Sequence, residues 1–543
     1  PLEITQVETY RGIEPVFAAA PPTLRGLYES AATDATFLVH RGDRESFAQT
    51  WERASTIATW LRTVGVQPGD RVAIAMRNLP EWVHTFMAAT SMGAIAVAIN
   101  ALWEVDELDH ALRDCRPHVL FVDTERLERI RRCSDAALDG VTVVVVRAGH
   151  AHHDAIALDD ALAGVVASGV AHAPQPDDPA TIFYTSGSTG MPKGVLATHR
   201  QAVTAAVQRE LTDAISAVLR GTDPAVARSS RSVALLTVPL FHVTASHAVF
   251  LPCFRTQCAL VTMHKWDPEE GLRLIEAERV DWFIAPPAVT HDLVRAAAGS
   301  TRDLSSLKLV GGGGASRPPE QVRRIASTLT TAPSTGWGMT ETSSLGTSIS
   351  GDDYLQHPDS CGRGIPVMDL RVVGDDGEPL PTGEAGELHV RGTSLFVEYW
   401  NRPEATAEVM TTDGWFRTGD VARIDDEGYV YIVDRVKDLI IRGGENIGCG
   451  QVEAALMAHP QVHEAVVYGV PDERLGEEVA ATVFASGELD VEALRDFVRP
   501  HLARFAVPRF ITVTHEPLPR TASGKLAKRI VRDASVRPSD APD

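Results

Sequence analysis

Residues 184–194, with the sequence YTSGSTGMPKG, form the segment best suited to hold a phosphate chain. They follow TIF, a short apolar run typical of a strand, which a flexible surface linker would lack. Glycines let neighbouring backbone N–H groups turn toward one anion, hydroxyl groups add donors, and a lysine adds positive charge. The contributing residues are Thr185, Ser186, Gly187, Ser188, Thr189, Gly190 and Lys193. The spacing fits neither GxxxxGK[ST] nor GxSxG, so it predicts a polyphosphate loop that is neither a P-loop nor a hydrolase elbow.

The composition is that of an average globular protein, and the length is enough for several domains. The chain has 543 residues, of which 44% are apolar and 23% charged, which argues against disorder or a coiled-coil rod. Lysine and arginine number 51 and aspartate and glutamate 72, a formal charge of −21. Nucleic-acid binding is therefore not expected, because phosphate contacts need clustered cations. The six cysteines are scattered without a CxxC pair, which favours reduced thiols over disulfides or zinc.

Neither a membrane span nor a secretory signal is predicted. No apolar run approaches the roughly 18 residues that a spanning helix needs. The first residues, PLEITQVETYRGIEP, contain no basic region followed by an apolar one. A cytoplasmic protein without an integral membrane segment is the expectation.

Alternating strand-like and helix-like runs predict βαβ units with largely parallel sheets in the first part of the chain. Arg71–Met76 reads as a buried strand, Pro80–Met92 as a helix and Ala94–Asn100 as the next strand. Pro117–Asp123 and Val141–Val146 repeat the pattern.

The pattern changes after about residue 366. The runs LRVVG, GELHVRG and YVYIVDRVKDLII are separated by turn signals and predict antiparallel or mixed strands. A small α+β domain is predicted from residue 450 onward. Its elements are the helix Gln451–His459, the strands Glu464–Val470 and Glu478–Ala485, the helix Val491–Leu502 and the strand Phe510–Thr514.

YTSGSTGMPKG resembles the phosphate loop of the adenylate-forming superfamily, which includes acyl-CoA synthetases, peptide-synthetase adenylation domains and luciferases. Further motifs follow in the superfamily's order: PLFHV (239–243), GGGGA (311–315), GWGMTE (336–341), WFRTGD (415–420), DRVKDLIIRGGENI (434–447) and PRTASGK (519–525). The match covers nearly the whole chain and is most similar to medium- and long-chain fatty acyl-CoA ligases. It implies an α/β fold with a large N-terminal domain of two αβ subdomains plus a β-barrel-like subdomain, and a small mobile α+β C-terminal domain.

The resemblance implies a two-step ligase reaction with ATP, Mg²⁺ and coenzyme A. A hydrophobic carboxylic acid, medium- to long-chain, attacks the α-phosphate of ATP to give acyl-AMP and pyrophosphate, and coenzyme A then displaces AMP. The same likeness allows a homodimer. Two alternatives stay open: a stand-alone acyl-AMP ligase that loads a carrier protein, and an inactive nucleotide-binding scaffold.

The resemblance also assigns roles to individual residues. Lys525, Thr340, Glu341 and His242 are the catalytic candidates, and Glu341 and Thr189 are the metal candidates. A hard carboxylate such as Glu341 suits Mg²⁺, although Thr-Glu-Thr is also a common helix start. His242 would border the acyl path, although a histidine between apolar residues is also a common core residue. Besides the residues of 184–194, the nucleotide and coenzyme A contacts are Gly313, Gly314, Ala315, Trp337, Gly338, Met339, Asp420, Arg435, Lys437, Gly443 and Gly444.

The resemblance implies that Lys525 and Gly443-Gly444 serve different half-reactions although both belong to the C-terminal domain, and that this domain therefore rotates between the two steps. The expected divisions are an N-terminal domain at 1–434, a hinge at 435–438 containing Lys437, and a lid at 439–543. Two places depart from the family's usual pattern. Trp337 replaces the more usual tyrosine and could alter adenine stacking or the width of the acyl pocket. Gly448-Cys449-Gly450 replaces a form containing proline. Cys449 is expected to be incidental rather than reactive, although its small neighbours would allow exposure.

Overall fold

The structure is a computed structural model that describes residues 3–149, 152–169, 172–185, 191–219, 221, 223, 232–314, 317–435, 439–442, 445–472, 474–521 and 526–535. Its strands are β1 Ile4–Thr9, β2 Gly12–Phe17, β3 Thr36–His40, β4 Asp43–Ser46, β5 Arg71–Ala75, β6 Ile95–Ala98, β7 Val119–Val122, β8 Thr142–Val145, β9 Ile156–Ala157, β10 Pro179–Thr185, β11 Lys193–Thr198, β12 Val233–Leu236, β13 Ala259–Thr262, β14 Trp282–Ala285, β15 Leu309–Gly312, β16 Ala332–Thr335, β17 Thr347–Ser350, β18 Gly362–Gly364, β19 Met368–Val373, β20 Gly386–Gly392, β21 Glu398–Tyr399, β22 Phe416–Ile424, β23 Tyr429–Arg435, β24 Ile440–Arg442, β25 Glu445–Ile447, β26 Val462–Asp472, β27 Gly476–Ala485 and β28 Phe510–Thr514.

The α-helices are α1 Leu24–Ala31, α2 Phe47–Thr63, α3 Pro80–Ser91, α4 Val105–Cys115, α5 Thr124–Ile130, α6 Asp135–Leu138, α7 Leu158–Leu162, α8 His199–Leu219, α9 Val243–Ala245, α10 Leu251–Thr256, α11 Pro268–Glu278, α12 Pro287–Ala298, α13 Pro319–Leu329, α14 Gly351–Gln356, α15 Pro403–Val409, α16 Cys449–Met457, α17 Val491–Val498 and α18 Lys528–Ser535. Ser246–Phe250 is a π-helical turn, and Thr340–Thr342, Arg499–His501 and Arg504–Ala506 are 3₁₀ turns. In the described part of the chain, no helix is both long and apolar enough to cross a membrane.

Two large sheets form the body of the protein. The first runs in the order β21-β11-β10-β6-β5-β7-β8-β9 and is parallel from β10 to β9. The second contains a parallel block, β16-β15-β14-β12-β13-β3. The largest core cluster draws on one face of each sheet and on α1, α2, α3 and α8. Helices on both faces of parallel sheets are the α/β arrangement that the sequence predicts.

The antiparallel region predicted after residue 366 is continuous with the second sheet. Beyond β16 the sheet continues through β17, β18, β23, β22, β20 and β19, and all of these neighbours pair antiparallel. The region expected to be barrel-like is built from these strands. Strand β21 is the exception, because it leaves this region and pairs with β11 of the first sheet.

The C-terminal unit has its own sheet and its own core. Strands β26 and β27 form a long antiparallel pair, and β28 adds to β27 in parallel. A separate apolar cluster lies between this sheet and α16 and α17. The helix predicted as Val491–Leu502 ends at Val498, because Pro500 has no backbone N–H to continue the helical hydrogen bonds and its ring clashes with the preceding turn. The chain continues as a 3₁₀ turn.

Candidate active site

Strands β10 and β11 hold the two ends of the predicted phosphate loop. They pair antiparallel, and Thr185 lies opposite Lys193 at the open end of the pair. The Thr185 hydroxyl donates to the Lys193 carbonyl at 3.5 Å. One residue earlier, the Tyr184 hydroxyl donates to Asp114 at 2.8 Å and ties β10 to α4. Of the predicted loop, Ser186, Gly187, Ser188, Thr189 and Gly190 lie outside the described residues.

Tyr399 connects Lys193 to Glu341. Its strand, β21, pairs with β11, so its ring lies under the Lys193 ammonium, with Nζ 4.9 Å from the ring centroid. The Tyr399 hydroxyl donates to Glu341 Oε1 at 2.8 Å. The Phe396 N–H donates to the Glu341 backbone carbonyl at 2.7 Å and fixes the same turn. Tyr399 was not identified from the sequence, because its contact with Glu341 joins residues 58 positions apart.

Glu341 is a buried carboxylate in the 3₁₀ turn Thr340–Thr342, where Thr340 is half-buried. Burial raises the pKa of Glu341 above its usual range, and the hydrogen bond from Tyr399 opposes that rise. No group of three or more histidine, cysteine or acidic side chains converges in the described residues. One carboxylate nevertheless fits Mg²⁺, which binds nucleotides through phosphate oxygens and retained waters plus one or two carboxylates.

Asp420 is held by two donors. The indole Nε1 of Trp337 donates to its Oδ2 at 2.7 Å, and Arg435 Nε lies 3.0 Å from its Oδ1. Asp420 and Arg435 face each other across β22 and β23, so the sheet register brings the two predicted ribose contacts together. Glu341 also lies within electrostatic range of both, since Arg435 lowers its pKa and Asp420 raises it. The metal candidate and the ribose candidates therefore share one site.

Close packing fixes the segment around Trp337. A Cβ on Gly338 would lie 2.3 Å from the Ser344 carbonyl oxygen, and a Cβ on Gly346 would lie 2.4 Å from the indole. Glycine is required at both positions because there is no room for a side chain. The Met339 N–H donates to the Thr342 hydroxyl at 3.0 Å and starts the turn that carries Glu341.

The His242 segment lies against the glycine run. His242 is half-buried and precedes helix α9, and its ring centroid lies 4.8 Å from that of Phe241. Thr244, two residues on, lies 3.6 Å from where a Cβ of Gly313 would be. Gly314 has φ +80°, a conformation that favours glycine. Ala315, the last predicted contact of this run, lies outside the described residues.

A buried arginine fills the space beside the neighbouring glycine. A Cβ on Gly312 would lie 2.4 Å from Arg317 Nη2, so this glycine makes room for a guanidinium. Nη2 is 3.4 Å from the Thr290 hydroxyl, and Nε and Nη1 have no hydrogen-bond partner among the described residues. Burial lowers the pKa of Arg317 to about 10. Arg317 was not identified from the sequence. Nothing in the run GGGGASRPP distinguishes this arginine from an exposed residue that precedes a helix.

Four of the candidate residues predicted in the C-terminal part of the chain lie outside the described residues: Lys437, Gly443, Gly444 and Lys525. Arg442 and Glu445, on either side of Gly443-Gly444, pair across β24 and β25.

Cys449, whose exposure the sequence left open, is buried. Its N–H donates to the Asp434 carboxylate at the end of β23. A Cβ on Gly448 would lie 3.0 Å from the Val433 carbonyl oxygen, so small residues let α16 dock closely there.

Two large α/β sheets that share a core, a separate small C-terminal unit and the candidate nucleotide-binding groups gathered at one site are the features expected of an adenylate-forming enzyme. Residues 28–400 match the AMP-binding enzyme family, and residues 451–525 match the AMP-binding enzyme C-terminal domain. The chain belongs to this family, and within it to the acyl-CoA synthetases, which are acid–thiol ligases.

Proteins of known activity resemble nearly the whole chain. A feruloyl-CoA synthase from Amycolatopsis sp is 36% identical over 500 residues, covering 92% of this chain and 95% of that protein. The long-chain-fatty-acid–CoA ligase FadD13 of Mycobacterium tuberculosis is 34% identical, covering 90% and 93%. The crystal structure of ATP-bound MatB from Rhodopseudomonas palustris is 26% identical, with a TM-score of 0.82 over 95% of this chain and 99% of MatB.

Proposed function

We propose that the protein activates a hydrophobic carboxylic acid, medium- to long-chain, to its acyl-adenylate with ATP and transfers the acyl group to coenzyme A. The supporting observation is the single connected site that runs from Lys193 through Tyr399 and Glu341 to Asp420 and Arg435. A cation, a metal-binding carboxylate and a ribose-binding carboxylate at successive positions correspond to the successive parts of a nucleoside triphosphate.

The first step joins two anions. A carboxylate oxygen of the acid attacks the α-phosphorus, and pyrophosphate leaves with the electrons of the broken phosphoanhydride bond. Lys193 and Lys525 supply positive charge near the reacting phosphate, in a preorganised site where a fixed charge stabilises the transition state. When bound through Glu341, Mg²⁺ neutralises charge on the phosphate oxygens.

The second step needs a different neighbour for the same acyl group. The thiolate sulfur of coenzyme A attacks the acyl carbon, and AMP leaves with the bond electrons. In this proposal the C-terminal domain rotates about residues 435–438, with Lys437 in the hinge. Lys525 then withdraws, and Gly443-Gly444 line the entrance for the pantetheine arm. His242, which precedes α9, borders the path between the acyl and thiol groups.

In this proposal the acid binds beside the His242 segment and the glycine run. Phe241 and Val243 are buried apolar residues on one side, and Gly313 faces Thr244 with no side chain of its own. An apolar acyl group fits such walls better than a charged one, because burying an unpaired charge is costly. The relatives act on both aromatic and long-chain acids, so the acid class is a matter for direct assay.

The test is incubation of the full-length protein with ATP, Mg²⁺, coenzyme A and a panel of fatty and aryl acids, with mass detection of the thioester. We expect acyl-CoA, AMP and pyrophosphate in equal amounts with at least one apolar acid. Without coenzyme A, acyl-AMP should form, and without Mg²⁺ pyrophosphate release should stop. Acyl-AMP that never yields acyl-CoA would point to a carrier protein as acceptor, and turnover without a divalent cation would remove Glu341 from its role.

A further inference from the structure

The indole of Trp337 is directed at the carboxylate that the proposed function assigns to ribose. Its Nε1 is 2.7 Å from Asp420 Oδ2, and both side chains are buried. The two residues are 83 positions apart. Trp337 lies in the segment between β16 and β17, whereas Asp420 lies in β22, so the contact depends on the tertiary fold. An indole N–H has a single proton to donate, and here it is donated to that carboxylate.

The backbone holds the indole in this orientation. The Trp337 N–H donates to the Thr347 hydroxyl at 2.9 Å, and the Thr347 N–H donates back to the Trp337 carbonyl at 3.0 Å. The absent side chains of Gly338 and Gly346 allow the turn to close tightly against the ring. The ring could not swing away without moving this turn.

Asp420 needs such a donor because the torsion that orients a carboxylate is soft. The χ2 wells of aspartate are broad, so an unconstrained carboxylate samples many planes. Arg435 also contacts Asp420, but its side chain is 54% exposed and it is the first residue of the proposed hinge, 435–438. Trp337 is only 9% exposed and belongs to the N-terminal body, so its contact does not depend on hinge position.

We propose that Trp337 is a positioning residue whose indole N–H fixes the Asp420 carboxylate for the ribose hydroxyls of ATP and AMP in both half-reactions. The inference rests on the proposed function for Asp420 as the ribose ligand. A carboxylate accepts about four hydrogen bonds, so one oriented by protein donors retains the capacity to accept from a sugar. The donor, rather than ring size alone, is then what the tryptophan contributes at this position.

The test compares ribose recognition with and without the indole proton, in the full-length enzyme. Trp337→Phe keeps an apolar ring and removes the donor. We expect the Kd for AMP to rise about tenfold, the effect of one hydrogen bond to a charged group. The wild-type protein should bind AMP more tightly than 2′-deoxy-AMP and 3′-deoxy-AMP, and in the variant each ratio should shrink at least about threefold, because the carboxylate is no longer fixed. The Kd values are measured by titration calorimetry without any carboxylic acid. They therefore test the role of Trp337 whether or not the acid class proposed above is correct.

Two further proteins make the outcome decisive. Trp266→Phe is the matched control, because it also removes an indole donor to a carboxylate but at a place outside the site. Trp266 Nε1 is 3.2 Å from Asp292 Oδ2. In this variant, the Kd for AMP and its ratios to the Kd values of the two deoxy analogues should not change. If Trp337→Phe does not fold, a benzothienylalanine placed at position 337 by amber suppression keeps the bicyclic shape and replaces N–H with sulfur. Unchanged deoxy ratios in either folded variant would overturn the proposal.

Discussion

Replacement of Tyr399 by phenylalanine removes the hydroxyl that donates to the buried Glu341 carboxylate at 2.8 Å. A hydrogen bond to a charged group contributes about 1.5–3 kcal/mol, and each 1.4 kcal/mol is tenfold in an equilibrium, so the loss corresponds to about 10- to 100-fold. In Tyr399→Phe we expect the Mg²⁺ concentration for half-maximal pyrophosphate release to rise within this range. The reason is that the hydroxyl stabilises the ionised form of Glu341, which is the form that binds a cation.

The pH dependence gives the same variant an independent measurement. Burial already raises the pKa of Glu341, and loss of the hydroxyl raises it further, so the acid limb of the activity profile should move to higher pH. A carboxyl group whose folded-state pKa exceeds its unfolded value contributes stability that is present at low pH and lost as pH rises through the folded value. The melting temperature of Tyr399→Phe should therefore fall more at neutral than at acid pH.

Tyr431→Phe is the matched control for this prediction. Its hydroxyl donates to Asp425 at 3.0 Å, also a tyrosine–carboxylate bond, but in the turn between β22 and β23. Its Mg²⁺ requirement and acid limb should match the wild type. An unchanged Mg²⁺ requirement and acid limb in Tyr399→Phe would refute the argument that Tyr399 supports Glu341 as a cation ligand.

Three further predictions concern other parts of the site. Lys525→Ala should abolish acyl-AMP formation while thioester formation from supplied acyl-AMP survives; equal loss of both rates would remove Lys525 from the first step. Gly313→Ala should fold normally, because the nearest atom to the new Cβ is on Thr244 at 3.6 Å. Its kcat/KM should nevertheless fall several-fold more for bulky acids than for slender ones. A uniform effect on all acids would contradict the proposal that Gly313 lines the acyl site. Cys449→Pro removes the N–H that donates to Asp434 and should change the ratio of the two half-reaction rates. Cys449→Ala keeps the N–H and should leave this ratio unchanged. Matching ratios for the two variants would show that this contact plays no part in domain movement.

The sequence predicted the local elements best where hydrophobic periodicity agrees with the residues that start or end an element, such as proline and glycine. The strand Phe510–Thr514 is observed as predicted, and the helix predicted from Pro80 to Met92 ends one residue earlier. Val491–Leu502 was predicted too long because its apolar spacing continues through Pro500, where backbone geometry outweighs periodicity. Local rules of this kind act over a few residues, which is the distance over which the predictions succeed.

The candidate site was predicted one motif at a time, and the connections between motifs were not. Asp420 and Arg435 were identified separately and turn out to be cross-strand neighbours. The hydrogen bonds from Trp337 to Asp420 and from Tyr399 to Glu341 have no sequence signature, because they join residues far apart in the chain. For Trp337, the sequence analysis considered only the ring, through adenine stacking or the width of the acyl pocket. Its N–H finds an acceptor only in the folded arrangement.

Strand β21 determines how the parts of the site are spaced. Lys193 belongs to the first sheet, whereas Glu341 lies in the turn between β16 and β17 of the second sheet and Asp420 lies in that sheet's antiparallel extension. Only two residues long, β21 leaves the extension to pair with β11, and its Tyr399 contacts both Lys193 and Glu341. The distance between the cation on one sheet and the carboxylate on the other is therefore set by this short pairing. Because a tyrosine ring spans that distance with its hydroxyl already bonded, the two charges are kept apart rather than neutralising each other. In the proposed function, both charges therefore remain available to the phosphate chain of the nucleotide.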